Sequence, residues 1–154
     1  MNFAAFIKNI NPHQVRLAMN FVFALPFLLL FFKINSNFRD SKILDDVKEG
    51  DITKLQRFLS GRRWKKRLNK YYYVIINTHT YERHTLLTAA VAGNQLEIVE
   101  FLLSLSGTDI DKKYIFSESS FNHREYSPLE LAQRYDHKQI AAVLTEFIKG
   151  RAIR

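Results

Sequence analysis

His84-Thr85-Leu86-Leu87-Thr88-Ala89-Ala90-Val91-Ala92-Gly93-Asn94-Gln95-Leu96-Glu97-Ile98-Val99-Glu100-Phe101-Leu102-Leu103 is the stretch whose reading decides the fold. Thr85 stands just before an apolar run, where its hydroxyl can accept from a free backbone N–H and open a helix. Ala89 and Ala90 are small and let a paired helix approach closely. Asn94, after Gly93, marks a turn, because Asn and Gly tolerate a left-handed backbone. Beyond it Ile98, Val99, Leu102 and Leu103 recur at helical spacing and form one apolar stripe. The segment therefore reads as helix, turn, helix. One such pair cannot bury its own stripe, so stacked neighbours are required.

Both neighbours are present. Ser127-Pro128-Leu129-Glu130-Leu131-Ala132-Gln133-Arg134-Tyr135-Asp136-His137-Lys138-Gln139-Ile140-Ala141-Ala142-Val143-Leu144 repeats the pattern in the same register. Ser127 takes the cap, and Pro128 fits the first turn, where a missing N–H costs least. Asp136 takes the turn position, and Ile140, Val143, Leu144 and Phe147 form the stripe. A weaker copy runs Ile43-Leu44-Asp45-Asp46-Val47-Lys48-Glu49-Gly50-Asp51, then Leu55, Phe58 and Leu59. The central copy resembles an ankyrin repeat, whose pattern is T-P-L-H-x-A-A, a G-H-like turn, then I-V and L-L. Leu86 replaces the Pro of that pattern, and Thr88 and Glu130 replace its His, so the side-chain bonds typical of the motif are expected to be altered.

The turn residues Gly50, Asn94 and Asp136 are 44 and 42 positions apart, whereas ankyrin repeats recur about every 33 residues. Each junction thus carries about ten additional residues. Tyr71-Tyr72-Tyr73-Val74-Ile75-Ile76 in the first is aromatic and β-branched, and Tyr114-Ile115-Phe116 in the second precedes a Ser-rich turn before Phe121. Both read as strands. The expected fold is predominantly all-α: a short ankyrin-repeat α-solenoid with lengthened β-hairpin loops projecting as two neighbouring fingers, and an N-terminal hydrophobic helix. Residues 1–36 form the hydrophobic segment and 37–150 the repeat domain, with repeats near 40–61, 80–111 and 122–150 and insertions near 62–79 and 112–121.

The chain has 154 residues, 23 Lys and Arg against 15 Asp and Glu, a formal charge of +8 and no Cys. That composition is globular, and without Cys a disulfide framework, a thiolate zinc site, a Cys nucleophile and an iron–sulfur cluster are excluded. The charge is local: residues 1–36 contribute +3, residues 61–84 contribute +6, and the remainder −1. Leu17 to Phe32 is free of charge. Asn11, Pro12 and Gln14 start a helix there and Pro26 kinks it. The uncharged run spans about 24 Å of helix, short of the roughly 20 residues that a membrane span needs. Three readings stand: a membrane anchor, a helix capping the stack, and a cleaved signal. As an anchor it leaves Lys8 and Arg16 before it and Lys33, Arg39, Lys42 and Lys48 after it, placing the repeat domain in the cytoplasm. Analogy with short irregular ankyrin proteins of intracellular bacteria adds secretion as an effector.

Arg62-Arg63-Trp64-Lys65-Lys66-Arg67-Leu68-Asn69-Lys70 is the sharpest local feature. Basic groups neutralise phosphates and aromatic rings stack on bases, which makes a basic-loop binder of anionic membrane or nucleic acid the alternative function. The plainer reading, a solvated loop with Trp64 and Leu68 turned inward, is preferred, because no nucleic-acid-binding motif accompanies the run. His79 and His84 with Glu82 between them lack the spacing of a metal site on one helical face. No G-x-S-x-G elbow or glycine-rich phosphate loop is present, so no enzyme, cofactor, metal or small-molecule substrate is expected. The resemblance implies a non-enzymatic protein–protein interaction module, with another protein in a groove formed by hairpin tips and inner helices. Carrying over its variable surface positions selects Tyr81, Glu82, His84, Ala92 and Gly93 in the central copy, and His123, Arg124, Tyr126, Arg134 and Tyr135 in the last.

Overall fold

A computed structural model describes residues 42–119 and 122–152 of the chain. Residues 42–48 form helix α1, followed by α2 (Ile52–Leu59) and a short α3 (Trp64–Leu68) built from the basic run. Then come β1 (Tyr72–Ile75), β2 (Tyr81–His84), α4 (Leu86–Ala92), α5 (Leu96–Ser104), β3 (Tyr114–Ser119), β4 (Asn122–Tyr126), α6 (Pro128–Arg134) and α7 (Lys138–Ala152).

The pairs α1/α2, α4/α5 and α6/α7 share one turn. Gly50, Asn94 and Asp136 have φ of 89°, 55° and 56°. In each case the next residue's N–H donates across the turn at 2.9 Å: Asp51 to the Asp46 carbonyl, Gln95 to Ala90, and His137 to Ala132. This six-to-one bond satisfies a helix-end carbonyl only when the turn residue is left-handed, a conformation open to Gly and tolerated by Asn and Asp. The helix starts are also alike. The Thr85 hydroxyl accepts from the Thr88 N–H at 3.1 Å while the Thr88 hydroxyl accepts from the Thr85 N–H at 2.8 Å. Ser127 and Glu130 form the same reciprocal box, with 3.3 Å from the Glu130 N–H to the Ser127 hydroxyl and 2.7 Å from the Ser127 N–H to the Glu130 carboxylate. The residues standing in for the motif's His thus close a capping box.

Leu44, Val47 and Leu55 of the first pair, Leu86, Ala89, Ile98, Val99 and Leu102 of the second, and Leu131, Ile140 and Leu144 of the third are buried in one core, joined by Tyr72 and Tyr114 from the strands. Val143 and Phe147 pack against its edge.

The predominantly all-α expectation is overturned. Hairpins β1–β2 and β3–β4 do not stand as separate fingers. β2 pairs antiparallel with β3 through Tyr81 with Ser117, Glu82 with Phe116 and Arg83 with Ile115, giving one four-stranded sheet in the order β1-β2-β3-β4. The fold is helix pairs stacked beside an antiparallel sheet. The physical reason lies in the hairpin edges: an extended loop carries a row of backbone donors and acceptors along its side, and two such loops from adjacent repeats satisfy each other. The expected N-terminal hydrophobic helix, with Leu17 to Phe32, lies outside the described residues. Among the described residues no helix is long and apolar enough to cross a membrane.

Candidate functional site

Strand register sorts the side chains onto two faces. On the inner face Tyr72 stands opposite His84 and Tyr114 opposite Tyr126, while Val74, Glu82, Phe116 and Arg124 form the neighbouring row. With Leu131 and Arg134 of α6 and Tyr135 just beyond it, this face bounds an open concavity of about 300 Å³.

Glu82 is the hub of its floor. Its Oε1 accepts from the Tyr114 hydroxyl at 3.0 Å, and its Oε2 lies 3.0 Å from His84 Nε2 and 3.9 Å from Lys48 Nζ of α1. A carboxylate only accepts, so the bond assigns the proton of the imidazole to Nε2. The His84 bond, aided by Tyr114 and Lys48, holds the Glu82 carboxyl below its ordinary range against the opposing effect of burial. Burial pushes the His84 imidazole down, so it is neutral at pH 7. Burial and the Glu82 charge push the Tyr114 phenol up, which keeps it a donor. A ladder of rings rises from this hub: His84 to Tyr114 at 4.7 Å, Tyr114 stacked on Tyr126 at 6.3 Å, and the Arg134 guanidinium 5.0 Å from the Tyr126 ring centre. Opposite, Arg124 pairs with Glu118 at 3.8 Å. The site is thus a rigid aromatic wall with cations at its rim and a fixed anion at its base. Ring faces of this kind pack against apolar groups, and guanidinium groups pair with carboxylates.

Of the ten positions selected from the sequence, Glu82, Arg124, Tyr126, Arg134 and Tyr135 line this concavity. His84 is buried beneath it. Tyr81 and His123 stand on the opposite face, in one row through Ser117, with the Tyr81 ring 6.3 Å from Tyr73. Ala92 and Gly93 lie where α4 ends, and a Cβ on Gly93 would stand 2.6 Å from the Lys48 carbonyl oxygen, so this position is the contact between the first and second pairs. Tyr114, Phe116 and Glu118 also line the concavity, and the repeat pattern does not mark them, because an inserted strand has no counterpart in that pattern. Their only signal was the β-like Tyr114-Ile115-Phe116 run.

The basic run divides. Arg62, Arg63, Lys65 and Lys66 are exposed, Leu68 is buried and Trp64 packs against the core. Arg67 donates to the Phe58 carbonyl at 2.6 Å and lies over the Phe58 ring, Lys65 lies over Trp64, and Lys70 over Tyr72. His79 sits in the β1–β2 turn, its N–H donating to Asn77 Oδ1, apart from His84.

Helix pairs joined by left-handed turns and stacked about a shared core define a short solenoid of repeats. Residues 82–114, running from within β2 through α4 and α5 to the start of β3, match the family model of the ankyrin repeat. No curated protein and no solved structure matches the chain. Ankyrin repeats are a family of non-enzymatic interaction domains, which points to a protein–protein interaction module.

Proposed function

We propose that the chain binds a segment of another protein in the groove between the inner sheet face and α6. The ladder from Arg134 through Tyr126 to Tyr114, anchored on Glu82, carries this reading, because preorganised Tyr and Arg side chains are the types that dominate binding energy at interfaces. Glu82 and His84 hold the wall in place from behind, while Tyr126, Arg134 and Tyr135 meet the partner. The test is affinity for a partner recovered by photo-crosslinking from a probe at Tyr135. Arg134→Ala and Tyr126→Ala are each expected to weaken that complex by about 1–3 kcal/mol with the fold intact. Unchanged affinity in both variants would remove the groove from the interface.

A further inference from the structure

Among the described residues the outer edges of the sheet are β1 and β4, and they are unlike. β4 presents Asn122, His123, Arg124 and Glu125, all exposed, with Arg124 paired to Glu118 and Glu125 to Lys113. Charged edges of this kind discourage further pairing. β1 presents Tyr73 and Ile75, 53% and 73% exposed, followed by Ile76 at 53%. The Ile76 N–H donates to the Thr80 carbonyl at 3.0 Å. Antiparallel pairs alternate between hydrogen-bonded and non-hydrogen-bonded, so Val74 and Glu82 form the next bonded pair, and Tyr73 and Ile75 fall in the pairs between. The N–H and C=O groups of Tyr73 and Ile75 therefore point away from β2, along an edge flanked by exposed apolar side chains.

The exposed charged side chains of residues 61–71, the segment leading into that edge, are all basic. Arg62, Arg63, Lys65 and Lys66 are exposed just ahead of β1, and Arg83 is the register partner of Tyr73. The one acid within residues 61–84, Glu82, is held by His84 and Tyr114 on the inner face. A second copy of this chain would bring the same +6 segment to the edge. An acidic segment neutralises it.

We infer that β1 is a strand-addition site for an extended, acidic segment of a partner protein. The segment joins the sheet as a fifth strand through the backbones of Tyr73 and Ile75 and sets its carboxylates against Arg62, Arg63, Lys65 and Lys66. Backbone bonds supply affinity, and the flanking charge selects the partner. This edge is separate from the groove, so either site can fail without the other.

The probe is a synthetic peptide of alternating Val and Thr with a Glu-rich tail, titrated by fluorescence anisotropy against the full chain. Ile75→Pro removes an outward N–H and no ladder bond, and is expected to weaken binding about tenfold, the net worth of a lost hydrogen bond. Changing Arg62, Arg63, Lys65 and Lys66 together to Gln is expected to do at least the same, while Arg134→Ala in the groove leaves binding unchanged. Should Ile75→Pro fail to fold, peptides N-methylated on alternate residues carry the test, since methylation on the β1-facing side abolishes binding and on the other side spares it. Equal binding of both methylated peptides overturns the inference, as does equal binding of a Lys-tailed peptide. It is also overturned if the full chain fails to bind the probe, if the chain sediments as a dimer that Ile75→Lys dissociates, or if a single-stranded oligonucleotide binds more tightly than the peptide.

Discussion

Glu82 uses both carboxylate oxygens, on Tyr114 and on His84: the first bond crosses from β2 to β3 and the second fixes two neighbours along β2. Glu82→Gln leaves one of the two donors facing an amide N–H, and is expected to destabilise the chain by about 1–3 kcal/mol in urea unfolding. The same group sets the response to acid. Unfolded, His84 takes a proton as pH falls through 6.5, while burial holds the folded imidazole below that value. The unfolded state then binds more protons, so stability declines as pH falls. Glu82, also lowered in the fold from its usual 4.5, adds a second loss below that pH in the same direction. Urea midpoints measured from about pH 7 to pH 5 are expected to fall, and His84→Gln, which keeps a donor and does not titrate, is expected to flatten that decline without removing the loss at lower pH. Gly93→Ala places a methyl group against the Lys48 backbone, which has no flexible end to move aside, and is expected to cost about 1–3 kcal/mol.

At the scale of elements the shared turn gives a sharp expectation. Asp136 holds a left-handed φ with its side chain in solvent. Asp136→Gly is expected to leave thermal stability equal or higher, and Asp136→Val to lower it by about 1–2 kcal/mol. The Lys138 pairing at 3.7 Å is exposed on both sides and adds little to that difference. Turns, caps and stripes were legible in the chain because they are local: Thr85, Asn94 and the Ile98 to Leu103 stripe each act within a few residues. Strands β1 and β3 announced themselves through aromatic and β-branched residues. β2 and β4 did not, since Tyr81-Glu82-Arg83-His84 and Asn122-His123-Arg124-Glu125-Tyr126 are largely polar or charged. They are strands because their hairpin partners are, and β2 finds β3 across about thirty residues of intervening helices, a pairing no local pattern encodes. The groove was half visible for the same reason. Arg134 and Tyr126 sit at positions the repeat pattern marks, whereas the placing of Tyr114 against Glu82 exists only once β2 and β3 have paired.

In the whole molecule the sheet links the junction before the second helix pair to the junction before the third. Breaking it is expected to reduce cooperativity as well as stability. Phe116→Pro, in a strand bonded on both sides, should lower the urea midpoint and the transition slope together, and hydrogen exchange should show β2 and β3 amides protected alongside those of α4 and α5 while β1 and β4 open first. The merging of the hairpins also has a metric basis. Two strands advance a sheet by about 9.6 Å, and packed helices sit about 8–10 Å apart, so one hairpin per repeat keeps step with one helix pair per repeat. The strand layer and the helix layer are commensurate, like two gratings of equal pitch. A further hairpin-bearing repeat could then be added without accumulating mismatch, lengthening both layers by the same increment.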